Sequence, residues 1–252
     1  PSIFSLGQGV RLTDSAVLVV SQSGASPDLV RSTEGAREAG ATVLALTNAP
    51  GSPVEAEAHS TLKISAGPEQ AVPATKSVVG AIAAGMALLS TLTPAYAPRA
   101  KASAATIAAL QGKQLPQTKA LLAALLRASH VYVIGRDTGF GAAQELALKL
   151  KECCALHAEA YSSSEVLHGP LQLVTNPLLI LILDTEAPDV QPSLDTAEAR
   201  FKAAGGTTFR LRPSDAGATD LTPAAAAAEP VAPRDRGEPE AAQDPGEPEE
   251  PR

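Results

Sequence analysis

Short apolar runs alternate with segments of helical composition along most of this chain. The run at residues 17–20 is continuous and largely β-branched, which is typical of a strand buried on both faces. Residues 28–39 after it have helical composition and precede Gly40, a residue type favoured at left-handed helix ends. The same reasoning predicts strands at 42–47, 60–65, 131–135, 178–183 and 207–212, and helices at 75–92, 101–111, 117–128, 142–154 and 194–204.

Alternating strands and helices indicate parallel sheets covered by helices on both faces. The pattern occurs twice and divides near residue 95, so the sequence predicts an α/β protein with two similar halves. We expect a first domain at 1–95, connecting helices at 96–129 and a second domain at 130–217.

The last part of the chain has a different composition. Residues 218–252 are rich in Pro, Ala and Glu without an apolar period, and we predict that they are disordered. Residues 224–252 contain eight acidic and three basic side chains, so they carry −5 of the formal net charge of −7. The remainder is nearly neutral, and its few aromatic residues argue against a nucleic-acid partner.

Two further features of the sequence bear on the compartment. The longest apolar stretch, at 81–92, is too short and too rich in alanine for a membrane span, so we expect no membrane partner. Cys153 and Cys154 are adjacent and cannot staple a fold together, which fits a reducing cytoplasm. We expect both cysteines to be small core residues.

The sequence SQSGASPD, residues 21–28, joins a predicted strand to a predicted helix. Ligands of doubly wound sheets bind at such turns, where free N–H groups of the helix attract anions and Gly24 permits close approach. In the alternative interpretation, Ser26 only caps the helix and Pro27 starts it. No nucleotide P-loop pattern is present. The candidate phosphate donors are Ser21, Gln22, Ser23 and Ser26.

A second group of polar residues occurs in the predicted helix at 142–154 and after it. Glu145, Lys149 and Glu152 share one helix face, which is typical of a solvated ladder of ion pairs. Alternatively, Glu152 is a general base kept ionised by Lys149, and His168 is an acid that handles a substrate oxygen. A histidine in such a place can equally be structural, and periodicity does not decide between these interpretations.

One metal motif is only partly present. His157-Ala158-Glu159 matches the first half of the zinc site of nucleobase deaminases, but the Pro-Cys-x-x-Cys that such a site needs downstream is absent. We therefore expect neither a metal nor a cofactor, and we assign no role to His59, His130 or His157.

Three stretches together resemble the sugar isomerase (SIS) family of phosphosugar enzymes. They are SQSGASPD (21–28), AGPEQAVPATKS (66–77) and ALKLKECCALHAEAYSSSEVLHGP (147–170), and the resemblance runs from about residue 15 to 210. It is strongest to the isomerase half of glutamine–fructose-6-phosphate aminotransferases and to glucosamine-6-phosphate deaminases. It implies two tandem SIS domains, each a flavodoxin-like parallel sheet flanked by helices.

The resemblance also implies roles for individual residues. Glu152 matches the base that moves a proton between C1 and C2 of the sugar, with Lys149 beside it. His168 matches the residue linked to ring opening, which the neighbouring subunit delivers in this family, so a homodimer is implied. Ser21, Gln22, Ser23 and Ser26 match the phosphate-binding turn, and Val72 and Thr75 match the segment that lines the sugar.

Within the family, the motifs are most similar to the deaminase branch. The resemblance implies conversion of glucosamine 6-phosphate to fructose 6-phosphate and ammonia, and the lack of a glutaminase domain before Pro1 leads us to expect no use of glutamine. The alternatives are an isomerase-domain homologue of the aminotransferase and a non-catalytic phosphosugar-binding protein. The first strand of the family pattern and its last helix have no match, so we expect truncation at both ends.

Overall fold

A computed structural model of the protein describes residues 11–175 and 177–216. Its first half contains β1 (Ala16–Ser21), α1 (Pro27–Glu38), β2 (Thr42–Thr47), α2 (Pro53–Glu57), β3 (Ser60–Lys63) and α3 (Lys76–Leu92). Helices α4 (Ala97–Leu110) and α5 (Thr118–Leu125) follow. The second half contains β4 (His130–Gly135), α6 (Thr138–Cys154), β5 (His157–Ser162), β6 (Leu178–Leu183), α7 (Gln191–Ala203) and β7 (Thr207–Leu211).

The strands form two parallel sheets. The first has the order β1-β2-β3, with Val17 opposite Val43 and Leu44 opposite Ser60. The second has the order β5-β4-β6-β7. This is the flavodoxin-like order, in which the strands are added first on one side of the first strand, β4, and then on its other side. The α/β class predicted from the alternating pattern is confirmed. The predicted tail at 218–252 lies outside the described residues, and the domain limits stay predictions.

Strand β6 shows why a continuous apolar run is needed at the centre of a parallel sheet. Ile180 and Ile182 on one face pack in a cluster with Leu194 and Phe201 of α7. Leu179 and Leu181 on the other face join a second cluster. Both faces of the strand are therefore removed from water, as the sequence predicts. The second cluster includes Ala143, Ala147 and Leu150 of α6 and, partly buried, Leu121 and Leu125 of α5.

The first sheet is covered less completely. Val43 and Ala45 of β2 pack with the fully buried Ala36 of α1 on one face. On the edge strand β1, however, Leu18 and Val20 keep 43% and 47% of their surface exposed. The apolar run at 17–20 is a strand, as predicted, but the described residues bury it on one face only.

The sequence did not predict β5 or the short helix α2. Strand β5 is rich in alanine rather than in β-branched residues, and parallel pairing with β4 defines it. The expectation that Cys153 and Cys154 are core residues is wrong, because both are exposed. Leu150 is the last buried residue of α6, and Ala155 in the left-handed conformation turns the chain away after it. None of the described helices is long and apolar enough to cross a membrane.

The packing around α7 predicts the effect of removing its largest buried side chain. Phe201 is fully buried, so Phe201→Ala leaves a cavity and should lower the free energy of unfolding by about 3–5 kcal/mol, as measured by urea denaturation. Leu126→Ala is the control, because Leu126 is 79% exposed and its truncation should cost less than about 0.5 kcal/mol. Equal effects of the two substitutions would contradict this account of the core.

Candidate functional site

The candidate site lies where the three strands of the first sheet end. Residues 21–28 begin with the last residue of β1, Asn48 follows β2, and residues 64–75 follow β3. Because the three strands are parallel, these segments meet at one edge of the sheet, which is where ligands of such folds bind.

The turn at residues 21–28 is built by its own hydroxyl groups. The backbone N–H of Gly24 donates to Ser21 Oγ at 3.0 Å, and that of Ala25 donates to Ser23 Oγ at 3.3 Å. Each hydroxyl still has its own proton to donate. The side chains of Gln22 and Ser23 are exposed, as is that of Ser26. The turn can therefore present several donors to an anion.

The alternative role of Ser26, as a cap of the first helix, is met by its position but not by its side chain. Ser26 does occupy the N-cap position of α1 and Pro27 does start the helix, but the Ser26 side chain makes no capping hydrogen bond. Its hydroxyl is thus not needed by the first turn of the helix. A position at the positive end of the α1 dipole favours an anionic ligand there.

Gly24 holds the turn in a conformation that a larger residue would disturb. Its φ of +60° lies in the left-handed region, and an added Cβ would overlap the side chain of Ser52. Ser52 is 6% exposed, and its Oγ has no hydrogen-bond partner among the described residues. The close packing of Gly24 against Ser52 leaves no space for a side chain on the buried side of the turn.

Asn48 joins the turn to the segment that follows β3. Its backbone N–H donates to the Gln22 carbonyl at 3.1 Å. Its side chain donates from Nδ2 to the Gly67 carbonyl at 2.8 Å and accepts at Oδ1 from the Ala66 N–H at 2.9 Å. Sequence analysis missed this residue, although an asparagine directly after a predicted strand is a usable signal. Asn48 links the candidate phosphate turn to the candidate sugar segment.

Glu69 organises the start of α3. Its Oε2 accepts hydrogen bonds from the N–H groups of Thr75 and Ser77, at 3.2 and 3.0 Å, and from Ser77 Oγ at 2.6 Å. The Ser77 hydroxyl is the main cause of the lowered pKa of Glu69. Thr75 is exposed at the N-cap of α3, close in sequence to the fully exposed Val72. The roles of Val72 and Thr75 stay predictions.

The three charged residues of α6 form the ladder that their spacing predicts. Lys149 Nζ lies 2.5 Å from Glu152 Oε2 and 3.5 Å from Glu145 Oε1. The hydrogen bond to Glu152, opposed by some desolvation, raises the pKa of Lys149. This geometry is an ion-pair ladder on one face of α6, and the catalytic roles of Glu152 and Lys149 stay predictions.

His168 lies in the second half, like Glu152. It ends a 3₁₀ segment, Glu165–His168, and is exposed. Within residues 11–175 and 177–216, no hydrogen bond or ion pair joins Glu152 or His168 to the turn at 21–28. In the same part of the chain, no group of three or more His, Cys, Asp or Glu side chains is arranged to hold a metal.

The turn after β6, like the turn after β1, has a residue with positive φ at its third position, but its side chains are acidic. Glu186, with φ +61°, stands where Gly24 stands, and Asp184 where Gln22 stands. Asp184 Oδ2 is 2.8 Å from Arg210 Nε and 3.0 Å from Arg212 Nε. Burial opposes its ionisation, but hydrogen bonds led by that from Gln191 outweigh burial and lower its pKa. This turn is built as an internal ion cluster and disfavours a phosphate.

Comparison with known proteins identifies the family. The SIS domain family model matches residues 13–91 and 124–210, so the chain belongs to the SIS domain family. The two matched segments agree with the two parallel sheets.

The curated relatives are isomerising aminotransferases. The chain is 40% identical over 185 residues to the glutamine–fructose-6-phosphate aminotransferase [isomerizing] of Symbiobacterium thermophilum, covering 69% of this chain and 30% of that protein. For the enzyme of the same name from Aeropyrum pernix, the identity is 35% over 218 residues, covering 80% and 34%. The chain thus spans about a third of the length of these relatives.

Solved structures show the same fold. A suggested phosphosugar isomerase from Silicibacter pomeroyi superposes with a TM-score of 0.75 at 35% identity, covering 83% of this chain and 64% of that one. The C-terminal domain of glucosamine-fructose-6-phosphate aminotransferase from Francisella tularensis gives a TM-score of 0.70 at 24% identity, covering 82% and 62%. The second comparison supports the fold alone.

The contact between Gly24 and Ser52 predicts that the turn does not tolerate a methyl group. Gly24→Ala should weaken binding of inorganic phosphate and lower the melting temperature, because it adds a steric overlap to the left-handed strain. Gly51→Ala is the matched control, since Gly51 has φ +73° but no atom within 4 Å of an added Cβ. Calorimetric titration and thermal unfolding of both variants measure the difference.

Relief of the overlap provides a second check. Adding Ser52→Gly to Gly24→Ala removes the overlapping side chain and should restore part of the lost melting temperature. If Gly24→Ala and Gly51→Ala behave alike, then backbone strain alone governs the turn and the contact with Ser52 is unimportant.

Proposed function

We propose that this chain binds a sugar 6-phosphate and interconverts its aldose and ketose forms. The observation that carries the proposal is the turn at 21–28, where exposed hydroxyl and amide groups surround the N-terminus of α1. It stands beside the Asn48-linked segment at the edge where the sheet is open to ligands. Membership of the SIS family and the identity to isomerising aminotransferases support the same assignment.

Aldose–ketose interconversion needs one carboxylate that moves a proton between neighbouring carbons. We assign this role to Glu152, which would take the proton from C2 of an opened aldose and return it to C1. Lys149 Nζ, 2.5 Å from Glu152 Oε2, holds this carboxylate in a fixed position on α6. We assign His168 to opening of the sugar ring, and its exposure fits delivery into the site of a second copy in a homodimer.

For the substrate we propose glucosamine 6-phosphate. Proton transfer from C2 to C1 of its open form leaves an imine at C2, and addition of one water molecule then releases ammonia and fructose 6-phosphate. The net reaction is glucosamine 6-phosphate plus water giving fructose 6-phosphate plus ammonia, and it needs no oxidant or cofactor. Under this proposal the protein is a cytoplasmic enzyme of amino-sugar metabolism.

A second candidate is favoured by the curated relatives. They are named as glutamine–fructose-6-phosphate aminotransferases, and this chain matches about a third of each. In that case the same residues would run the isomerisation towards glucosamine 6-phosphate, with ammonia supplied from glutamine. The proton-transfer step on α6 is common to both candidates.

Release of ammonia from glucosamine 6-phosphate by the purified protein tests the proposal. We expect ammonia and fructose 6-phosphate in equal amounts, with the intact mass of the same sample confirming the chain. Binding of glucosamine 6-phosphate without any product would instead identify a non-catalytic phosphosugar-binding protein. Formation of glucosamine 6-phosphate only from fructose 6-phosphate and an ammonia source would favour the second candidate.

The assignment of Glu152 is tested by a pair of matched substitutions. Glu152→Gln removes the base and should reduce kcat by about 10²–10⁴-fold while leaving the affinity for fructose 6-phosphate unchanged. Glu145→Gln is the control, because Glu145 contacts the same lysine at 3.5 Å and should change kcat only a few-fold. If Glu152→Gln keeps the activity of Glu145→Gln, Glu152 is not the base.

A further inference from the structure

We propose that the second half contains a separate binding site for a phosphate group, formed by Arg136, Ser162 and Ser164. Arg136 follows directly after β4, and Ser162 is the last residue of β5, the strand next to β4. Both strands are parallel, so the three residues lie at the carboxyl edge of the second sheet. This site is distinct from the turn after β6, whose acidic residues disfavour an anion.

The polar groups of this site converge. Arg136 Nη1 donates to Ser164 Oγ at 2.8 Å and to Ser162 Oγ at 3.1 Å, and the two serine oxygens are 3.2 Å apart. Two hydroxyl groups and a guanidinium group therefore share one small region. One hydroxyl donates to the other, and the second hydroxyl keeps its proton for an added oxyanion while both oxygens accept from the arginine.

The charge of Arg136 is the main reason to expect an anion. Arg37, Arg210 and Arg212 each have a carboxylate oxygen within 3.0 Å. Arg136 is half-buried, and among the described residues no carboxylate lies within ion-pair distance of it. Its partners are neutral, so its positive charge is not balanced locally, and its fork of N–H donors matches the oxygens of a phosphate.

The surrounding backbone holds these groups in place. Ser163, between the two serines, is fully buried, donates its N–H to the Gly135 carbonyl at 2.9 Å and shares a 2.7 Å hydrogen bond with Ser193 of α7. An added Cβ on Gly135 would overlap the backbone of Gly139, so the turn after β4 is closely packed. The serine hydroxyls are therefore positioned before any ligand arrives, which lowers the entropic cost of binding.

Two neighbouring acidic residues do not neutralise the site. Asp137 is the N-cap residue of α6 and is exposed, and its side chain makes no capping hydrogen bond. Glu165, next to Ser164, is also exposed. Both carboxylates are solvated and lie outside ion-pair distance of Arg136. The positive end of the 17-residue helix α6 points to the same edge and adds to the attraction for an anion.

The ligand is inorganic phosphate or the phosphate group of a phosphorylated metabolite. The inference does not rest on the proposed function, because the turn at 21–28 belongs to the other sheet. A protein with both sites would bind two phosphate groups per chain.

Calorimetric titration of the full chain tests the inference, with inorganic phosphate and fructose 6-phosphate as separate ligands in a phosphate-free buffer. We expect the wild type to bind one phosphate ion at Arg136 and, as a consequence of the proposed function, a second ion at the turn at 21–28. Arg136→Gln should remove one of them, with at least a tenfold loss of affinity, and Arg37→Gln should bind like the wild type because Arg37 is already paired with Glu57. Loss of a bound fructose 6-phosphate in Arg136→Gln would identify a phosphorylated metabolite as the ligand, and loss of inorganic phosphate alone would identify free phosphate.

Two further variants separate this site from the proposed function. Ser23→Ala with Ser26→Ala changes the turn at 21–28 and should abolish only the other binding event. If Arg136→Gln does not fold, Ser164→Ala keeps the arginine and should weaken the second binding event at least threefold. Retention of two phosphate ions by Arg136→Gln, or by Ser164→Ala with unchanged affinity, would overturn the inference.

Discussion

Parallel pairing of the strands is the constraint on which the rest of this structure depends. Each parallel connection must return the chain to the opposite end of the sheet, usually through a helix, so all strands of a sheet end at the same edge. In the first sheet this brings together a hydroxyl-rich turn, Asn48 and the start of α3, although these segments are far apart along the chain. None of these segments could form a site alone. The hydrogen bonds of Asn48 convert their common edge into a connected surface.

The two halves show that this geometry positions a site but does not determine its chemistry. The turns after β1 and β6 both place a residue in the left-handed conformation, Gly24 in one case and Glu186 in the other. Gly24 has no side chain that would block an anion at the first turn. In the second turn, Glu186 accepts two hydrogen bonds from Ser214, and Asp184 forms ion pairs with arginines. In the second half, Arg136 after β4 is a half-buried cation with no carboxylate at ion-pair distance among the described residues. The carboxyl edges of the two sheets therefore differ in charge from turn to turn: the turn after β6 is acidic, whereas the turn after β4 carries a positive charge.

The sequence predicts the parts of this molecule that depend on local patterns. The limits of β2 and β6 agree with the apolar runs at 42–47 and 178–183, because burial on both faces requires such runs. Strand β5 was missed because alanine carries little strand preference, and its pairing with β4 comes from tertiary structure. The cysteines at the end of α6 were placed wrongly because periodicity does not show where the covering sheet stops.

The roles of Asn48, Glu69 and Lys149 show where pattern reasoning ends for the site. Asn48 and Glu69 act through hydrogen bonds that span 18 and 8 residues, which no periodicity encodes. The spacing on α6 predicts the ladder that the structure contains, and the sequence left open whether Glu152 is also a general base. Lys149 holds Glu152 through Oε2, and among the described residues Oε1 has no hydrogen bond. A carboxylate paired through one oxygen leaves the other available, so an ion pair that stabilises the helix is compatible with the role proposed for Glu152.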